Sequence, residues 1–245
     1  DGRPAASVRR FQALGEEEAL RPLVRGADLS AWRFETRDHV CWVHDDRTAA
    51  PRRPPPRMAR YLARHESALK RRSGTPLDAS PGTLLRISEA TLAPKVAWHD
   101  LALTLNAVAL PARIRGTTGH DVPLIPLNTV YFVPTASDGQ AHLLAAYLNS
   151  LPVRVFARAV AERAKDARFR FLAWTVALVP LPDDWATGPA AERLRRISTR
   201  SHADGAISER DEDELNRIVA ERYGLDAEAM DALASFDRWL RGDDR

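Results

Sequence analysis

The sequence predicts an α+β fold, with a mixed, mostly antiparallel twisted sheet flanked by helices and followed by a helical C-terminal tail. The first observation is a set of short β-rich runs separated by proline, glycine and aspartate turns. The second is a set of longer segments whose apolar residues recur every three or four positions, as in amphipathic helices. With 44% hydrophobic residues, the 245-residue chain can bury the core of one large domain or two small ones.

The first fifty residues mix short apolar pieces with turns, and they alternate like a half-buried strand near Val40–Val43. Prolines in "APRRPPPR" (Ala50–Arg57) require an extended link until a helix begins close to Pro56. The next segment, "RMARYLARHESALKRRSG", predicts a strong helix that ends at Gly74. One face of this helix carries Met58, Leu62, His65 and Leu69, and nearly the opposite face carries Arg57, Arg60, Arg64 and Arg71.

Five later runs predict strands. They are "TLLRI" (83–87), "KVAW" (95–98), "LTLNAVAL" (103–110), "TVYFV" (129–133) and "TVALVPLP" (175–182). Between the last two runs, "LLAAYLNSLPVRVF" (143–156) predicts two helices, because Asn149 and Ser150 halt an apolar run that restarts after Pro152. We interpret this stop as architectural.

The helix after the stop has an apolar side and a basic side. Val153, Phe156 and Val160 share the first, and Arg154, Arg158 and Lys165 line up on the second. A helix with this pattern can pack on a sheet while its basic side lies along phosphates. The alternative is an ordinary solvated basic face.

Two further helices are predicted near the C-terminus. Glu212–Tyr223 buries its apolar residues, and Gly224 is the expected left-handed residue that ends it. Asp226 can then cap a last helix that runs through Leu240.

The net charge of +3 conceals an uneven distribution. Residues 52–72 hold eight basic residues against one acid, whereas residues 201–245 hold thirteen acids against six arginines. This separation of charge suits a protein whose basic segment binds a polyanion and whose acidic segment faces solvent or a protein partner. A surface of mixed charge without any such partner is the alternative interpretation.

The sequence lacks the motifs of several common activities. It contains no glycine-rich nucleotide loop, and no apolar run reaches the length of a membrane span. A single cysteine, Cys41, excludes an internal disulfide and fits the reducing cytosol, so a cytoplasmic location is expected. The gap between Cys41 and His44 resembles a metal-ligand spacing, but no second pair supports it. His99 and His120 each precede an aspartate, yet neighbouring residues on an extended chain point apart.

Seven motifs follow one another across about nine-tenths of the chain: "LRPLVRGADLSAW", "YLARHESALKRR", "PKVAWHD", "LNTVYFVPT", "LLAAYLNSLPVRVF", "RFRFLAWTVALVPLP" and "LNRIVAERYGLD". In this order and spacing they resemble the TaqI-like C-terminal specificity domain of bacterial N6-adenine DNA methyltransferases. That family includes fused restriction–modification enzymes and phage-defence methylases. Its domains end a buried helix with "LNS" and close with a "YGL" helix.

The resemblance implies that this chain recognises the target and that another part performs catalysis. The glycine-rich cofactor motif and the Asn/Asp-Pro-Pro-aromatic motif of such enzymes do not occur here. No cofactor is therefore expected in this chain, and S-adenosylmethionine would belong to the missing catalytic half. The expected partners are double-stranded DNA and a methyltransferase catalytic domain in the same or a partner chain, with no membrane. The expected organisation is a recognition domain over residues 1–200, with residues 1–50 as a candidate linker to the catalytic domain, and an acidic helical tail over 201–245.

Two segments are candidates for contact with base edges. "RIRGTTGHD" (Arg113–Asp121) offers donors around two glycines, which let the backbone approach a groove closely. Arg115 is the preferred reader because it directly precedes Gly116, whereas Arg113 is the one expected to point sideways. In "AKDARFRF" (164–171), strand alternation would send Arg168 and Arg170 to one side and bury the two phenylalanines. An ordinary hairpin without a ligand is the alternative for the first segment.

The complete set of predicted DNA-binding residues is Arg52, Arg53, Arg57, Arg60, Arg64, Arg113, Arg115, Thr117, Thr118, His120, Arg154, Arg158, Lys165, Arg168 and Arg170. No catalytic or metal-binding residue is predicted. Two other hypotheses remain open. The chain could be a protein–protein docking module of a defence complex, or a hydrolase that uses His99 or His120.

Overall fold

The computed structural model describes residues 15–71, 82–127 and 129–241 and confirms the α+β fold. Its strands are β1 (Leu20–Val24), β2 (Leu29–Ser30), β3 (Arg33–Phe34), β4 (Asp38–Cys41), β5 (Lys95–His99), β6 (Leu101–Ala102), β7 (Ala107–Leu110), β8 (Arg113–Arg115), β9 (Asp121–Pro123), β10 (Ile125–Pro126), β11 (Val130–Pro134), β12 (Glu162–Arg163) and β13 (Phe169–Arg170). Its helices are α1 (Pro56–Ala63), α2 (Glu66–Lys70), α3 (Glu89–Leu92), α4 (Asp138–Asn149), α5 (Leu151–Val160), α6 (Ala173–Ala177), α7 (Gly188–Asp204), α8 (Glu209–Tyr223) and α9 (Ala227–Arg241).

The chain divides into two units, and each is built from three separate segments. Unit 1 comprises Asp1–Val24, Thr36–Ala93 and Pro111–Leu127, and unit 2 comprises Arg25–Glu35, Pro94–Leu110 and Asn128–Arg245. None of the boundaries between these units coincides with the predicted boundary at residue 200. Helix α7 passes through that residue without a break, and the helices that follow it belong to unit 2.

Unit 1 is organised around strand β1, all five residues of which are buried. Strand β4 pairs antiparallel on one side of β1, and β10 pairs parallel on the other. The predicted strand near Val40 is therefore confirmed, although it begins two residues earlier. Strands β8 and β9 form a separate antiparallel hairpin within this unit.

The arginine-rich helix of unit 1 is broken into α1 and α2. As predicted, Pro56 lies in its first turn, and the carboxylate of Glu16 accepts hydrogen bonds from the amides of Arg57 (2.9 Å) and Met58 (2.6 Å). The break follows Ala63, where the amides of Arg64 and His65 bond three residues back, as in a tightened last turn. Met58 and Leu62 of the predicted apolar face are buried, whereas His65, which follows the break, is exposed. The predicted end at Gly74 lies outside the described residues.

The run "TLLRI" does not form the predicted strand. Residues 83–87 are irregular apart from a turn at Leu85 and Arg86, and the amide of Leu84 donates to His44 instead of to a neighbouring strand. Leu84 and Ile87 pack against the buried Leu23, Trp42 and Ile125. Leu84 and Ile87 therefore contribute to the core of unit 1 by side-chain packing, although their backbone does not pair with a strand.

Unit 2 contains a three-stranded antiparallel sheet in the order β11-β5-β7, which confirms the strands predicted from "KVAW" and "TVYFV". The run "LTLNAVAL" forms a strand only in its second half, as β7. A second sheet has the order β12-β13-β6, and β2 pairs with β3. Helix α4 packs against β5 and β7, and eight of its twelve residues are buried.

The stop between α4 and α5 is structural, as expected. The Asn149 side chain accepts a hydrogen bond from the amide of Ala107 (2.8 Å) and donates one to the carbonyl of Ala107 (2.7 Å), which ties the end of α4 to β7. The Ser150 hydroxyl donates to the carbonyl of Tyr147 (2.7 Å). Both side chains are buried away from water. Their hydrogen bonds within the protein replace the bonds that these polar groups would otherwise make to water.

The run "TVALVPLP" does not form the predicted strand. Thr175, Val176 and Ala177 end helix α6, whose first turn is closed by a hydrogen bond from the amide of Val176 to the carbonyl of Leu172. No strand follows, and Pro180 and Pro182 both lack the amide hydrogen that a sheet ladder requires.

The predicted C-terminal helices are confirmed. Gly224 has a left-handed conformation (φ +66°) and ends α8, and the amide of Ala229 donates to the Asp226 carboxylate (2.8 Å) at the start of α9. No single helix among the described residues combines the length and the apolar composition of a membrane span. Helices α4 and α5 reach that composition only as a pair, across a bend of 69°.

Candidate nucleic-acid interface

The predicted reading loop forms the tight turn of the β8–β9 hairpin. The amide of Gly116 donates to the carbonyl of His120 (2.8 Å), and Gly119 has a φ of +80°. A Cβ atom on Gly116 would lie 2.8 Å from a methyl group of Val122, so a side chain at this position would force the hairpin to shift. Both glycines are therefore required by the turn itself. The result is a short, defined hairpin rather than a long flexible loop.

The two arginines of β8 have different surroundings. Arg113 donates to the carbonyl of Asp121 (2.7 Å) and lies 3.7 Å from the carboxylate of Asp46, so it is held at the base of the hairpin. The Arg115 side chain is exposed, and its guanidinium makes no hydrogen bond or ion pair with the described residues. Of the two guanidinium groups, that of Arg115 is therefore the more accessible. Thr117 and Thr118 are half-buried, and His120 is exposed.

A turn at residues 45–50 places further basic residues at the same end of unit 1. Arg52 lies 3.5 Å from Asp45, and the neighbouring Asp46 contacts Arg113 and pairs with Arg21 (2.9 Å). Backbone hydrogen bonds from Thr48 and Arg47 lower the pKa of the Asp45 carboxyl. Arg52 and the base of the hairpin are therefore organised by two adjacent carboxylates.

The arginines of the broken helix are exposed, as predicted. Arg57, Arg60 and Arg64 all face solvent, while Met58 and Leu62 on the other side are buried in unit 1. In the described parts of the chain, Arg60 and Arg64 have no acidic partner, and neither has the exposed Arg53. These three side chains can reach an anion without first giving up an ion pair.

The basic stripe predicted on α5 is not a free surface. Arg158 is 2% exposed and forms a buried ion pair with Asp237 of α9, so its assignment as a DNA-binding residue is wrong. Arg154 is half-buried and pairs with Glu212 of α8 (3.1 Å). The acids of the C-terminal helices neutralise this side of α5. Lys165 is exposed but lies beyond the helix, in the turn between β12 and β13.

The second candidate segment is the β12–β13 hairpin of unit 2. Phe169 and Phe171 are buried, and Arg168 and Arg170 are exposed, so the predicted alternation is confirmed. Asp166 and Ala167 both have positive φ angles, 59° and 56°, which close the turn. Such angles are uncommon for residues other than glycine, and the turn is thus strained in a way that periodicity does not reveal.

Sequence reasoning missed two further groups of side chains. Trp239 is half-exposed and stacks on Phe236, with 5.5 Å between ring centroids, next to a hollow of about 300 Å³ that Arg163 and Arg168 also line. The other group is a row of arginines on α7. Its signal, arginines three and four residues apart in "RLRRISTR" (193–200), was present in the sequence.

The histidines have mainly structural roles. Nδ1 of His44 lies 2.8 Å from the carbonyl of Ala49, and Nε2 accepts from the amide of Leu84 (3.0 Å), so both ring nitrogens are engaged by backbone. Burial raises the pKa of the nearby Cys41 thiol to about 11. Among the described residues no three metal-ligating side chains form a group that could hold an ion.

His99 and Asp100 do contact each other, with 3.4 Å between Nε2 and the carboxylate. The expectation that they point apart is wrong because β5 ends at His99 and the chain bends at Asp100. The His99 ring packs tightly on Gly26, where a Cβ atom would come within 2.1 Å of it. The contact with Gly26 fills the space beside the ring and holds its orientation.

The half-buried rings of His202 and His142 form a cluster with the buried Ser198. His202 lies 2.7 Å from the carbonyl of Ser198 through Nδ1 and accepts from the amide of Ala109 (2.8 Å) through Nε2. Burial lowers the pKa of His202 to about 4, which keeps the ring neutral and able to accept. Since Ser198 is fully buried, this cluster has no accessible nucleophile and acts as a packing element.

No protein-family model matches the chain, and no curated protein has a significantly similar sequence.

Proposed function

We propose that the chain is a sequence-specific recognition module for double-stranded DNA. The observation that carries this proposal is Arg115, an exposed guanidinium without a partner among the described residues, at the end of a short strand that leads into a glycine-defined turn. Arginine is the side chain that most often contacts guanine in the major groove, because its two parallel donors match two acceptors on that base. A hairpin fixed at its base by Arg113 keeps Arg115 positioned for such a contact.

Exposed arginines elsewhere in unit 1 supply the sequence-independent part of binding. Arg53, Arg60 and Arg64 lack acidic partners in the described structure and are available to phosphates. In unit 2, Lys165, Arg168 and Arg170 form a second basic hairpin with the same availability. Phosphate contacts fix the register of a protein on DNA, and base contacts select the sequence, so both classes of residue are needed for recognition.

The likeness to TaqI-like specificity domains supports a more specific proposal. The module would select the target of an N6-adenine methyltransferase in a restriction–modification or phage-defence system of the cytoplasm. A catalytic domain in the same or a partner chain would bind S-adenosylmethionine and flip the adenine. This chain would supply DNA contacts alone.

A salt titration of duplex binding tests the proposal. We expect log Kd to rise steeply with log salt concentration, by about 0.9 for every phosphate that the protein neutralises. Replacing Arg57, Arg60 and Arg64 together by alanine should weaken binding to all duplexes alike and flatten this slope. The matched control is Arg217→Ala, which removes an exposed helical arginine that pairs with Glu221. Indifference of the wild-type chain to duplex DNA would refute DNA recognition and favour a protein–protein docking module.

A further inference from the structure

A cleft between α7 and α8 of unit 2 is lined almost entirely by charged side chains. Its volume is about 520 Å³. Four arginines converge on it, and the remaining lining residues are two acids, one serine and one isoleucine: Arg193, Arg196, Arg200, Arg210, Asp211, Glu214, Ser208 and Ile197. The local charge is therefore clearly positive.

The sequence of α7 explains why the arginines meet here. Arg193, Arg196 and Arg200 are three and then four residues apart, so they share one side of the helix. The neighbouring side of the helix carries Leu194 and Ile197, which are buried in the core of unit 2, and Ile197 also borders the cleft. The row cannot turn away without exposing that apolar side.

The connection to α8 brings the fourth arginine to the same place. Gly205 ends α7 with a φ of +71°, and the Ser208 hydroxyl accepts from the amide of Asp211 (3.2 Å) to begin α8. Arg210 is the second residue of α8 and thus faces the row on α7.

Only one of the four arginines is neutralised by an ion pair. Arg200 forms two hydrogen bonds with the Asp211 carboxylate, at 2.8 and 2.5 Å, and this pairing lowers the pKa of Asp211. Among the described residues, no carboxylate lies within ion-pair distance of Arg193, Arg196 or Arg210. Like charges held together repel one another, and a bound anion relieves that repulsion.

The lining also restricts the chemistry of the ligand. Ile197 is its single apolar residue, and no aromatic ring is available to stack on a base or to cover an apolar group. Guanidinium groups match the geometry of phosphate oxygens through paired donors. With a helical rise of 1.5 Å per residue, Arg193 and Arg200 are about 10 Å apart along the axis of α7, which equals the rise of about three base pairs along the axis of a DNA duplex at 3.4 Å each.

We propose that the α7–α8 cleft is a binding site for phosphate groups, and that the phosphodiester backbone of DNA supplies them. The assignment to DNA rests on the proposed function, whereas affinity for phosphate does not. Contacts of this kind carry no sequence information, so the cleft adds affinity without selecting bases.

The test compares the full chain with an Arg196→Ala/Arg210→Ala variant in two arms. One arm measures binding of a duplex of about 20 base pairs at several salt concentrations, and the other measures binding of inorganic tripolyphosphate. We expect at least tenfold weaker binding in both arms, and a salt slope for the duplex that is smaller by about 2 because two phosphate contacts are lost. The control Arg217→Ala should change neither arm, and an unchanged melting temperature would show that the variant is folded.

The other outcomes are equally decisive. Loss of tripolyphosphate binding with duplex binding unchanged would place a free phosphorylated ligand in the cleft and overturn its assignment to DNA. If the wild-type chain binds no DNA but the variant still loses tripolyphosphate, the proposed function fails while the phosphate site stands. Equal binding by wild type and variant in both arms would overturn the site itself.

Discussion

The buried pair between Arg158 and Asp237 provides a sharp test of how unit 2 is held together. Arg158 on α5 is 2% exposed, and Asp237 on α9 is 6% exposed. The guanidinium also lies 5.5 Å from the centre of the Phe169 ring. Replacing Arg158 by methionine leaves a carboxylate in a poorly solvated position without its cation. Breaking a buried pair in this way costs about 3–5 kcal/mol of unfolding free energy.

Urea denaturation of two single variants and the double variant measures this cost. Arg158→Met should lower the free energy of unfolding by about 3–5 kcal/mol, whereas Arg158→Met combined with Asp237→Leu should recover most of that loss, because no charge remains buried. Arg238→Ala, an exposed arginine next to Asp237, is the matched control and should change stability by less than about 0.5 kcal/mol. Additive losses in the double variant, or a loss below about 1 kcal/mol for Arg158→Met, would refute the buried pair.

Two further predictions concern other buried bases. Lys95 is fully buried, its ammonium has no hydrogen-bond partner among the described residues, and burial lowers its pKa to about 8. Lys95→Met should therefore raise the unfolding free energy at pH 7 by about 1–3 kcal/mol, with the gain fading between pH 8 and 10.5; a loss of stability would contradict this. Folding lowers the pKa of His202 from 6.5 to about 4. As the pH falls, the unfolded chain therefore binds a proton at this histidine before the folded chain does. Stability should drop by up to about 1.4 kcal/mol per pH unit between pH 6.5 and 4. An identical pH profile for His202→Gln would refute this role.

Local signals in the sequence predicted much of the fold. Gly224 and Asp226 mark the end of α8 and the start of α9 because each acts on its own turn of backbone. Asn149 and Ser150 were recognised as a stop for the same reason. The partner that makes Asn149 necessary, Ala107, lies 42 residues earlier and could not be identified from the sequence.

The errors arose where tertiary contacts decide the outcome. Val176 favours strands by propensity, but it serves as well in the buried side of a short helix. Arg158 fits a basic stripe by spacing, yet its acidic partner is 79 residues away and is revealed only by the packing of α9 on α5. Periodicity identifies which residues share a face and does not identify what covers that face.

The candidate site was predicted best where the chain is locally self-contained. The glycines around Arg115 indicated a turn, and the alternation of Arg168 and Arg170 with two phenylalanines indicated a strand edge. The cleft between α7 and α8 was missed because its positive charge depends on the meeting of two helices. Of its four arginines, only Arg210 lies in the segment that net charge assigns to an acidic tail, and the other three precede that segment.

Selection of binding sites from a library of randomised duplexes tests the central claim most directly. We expect the wild-type chain to enrich a short motif. Arg115→Ala should lose the preference at one base position, at a cost of about 1–3 kcal/mol there, while the remaining positions stay enriched. The control Arg217→Ala should enrich the wild-type motif. Failure of the wild-type chain to enrich any motif, or the same motif for Arg115→Ala with uniformly weaker binding, would contradict base reading by the β8–β9 hairpin.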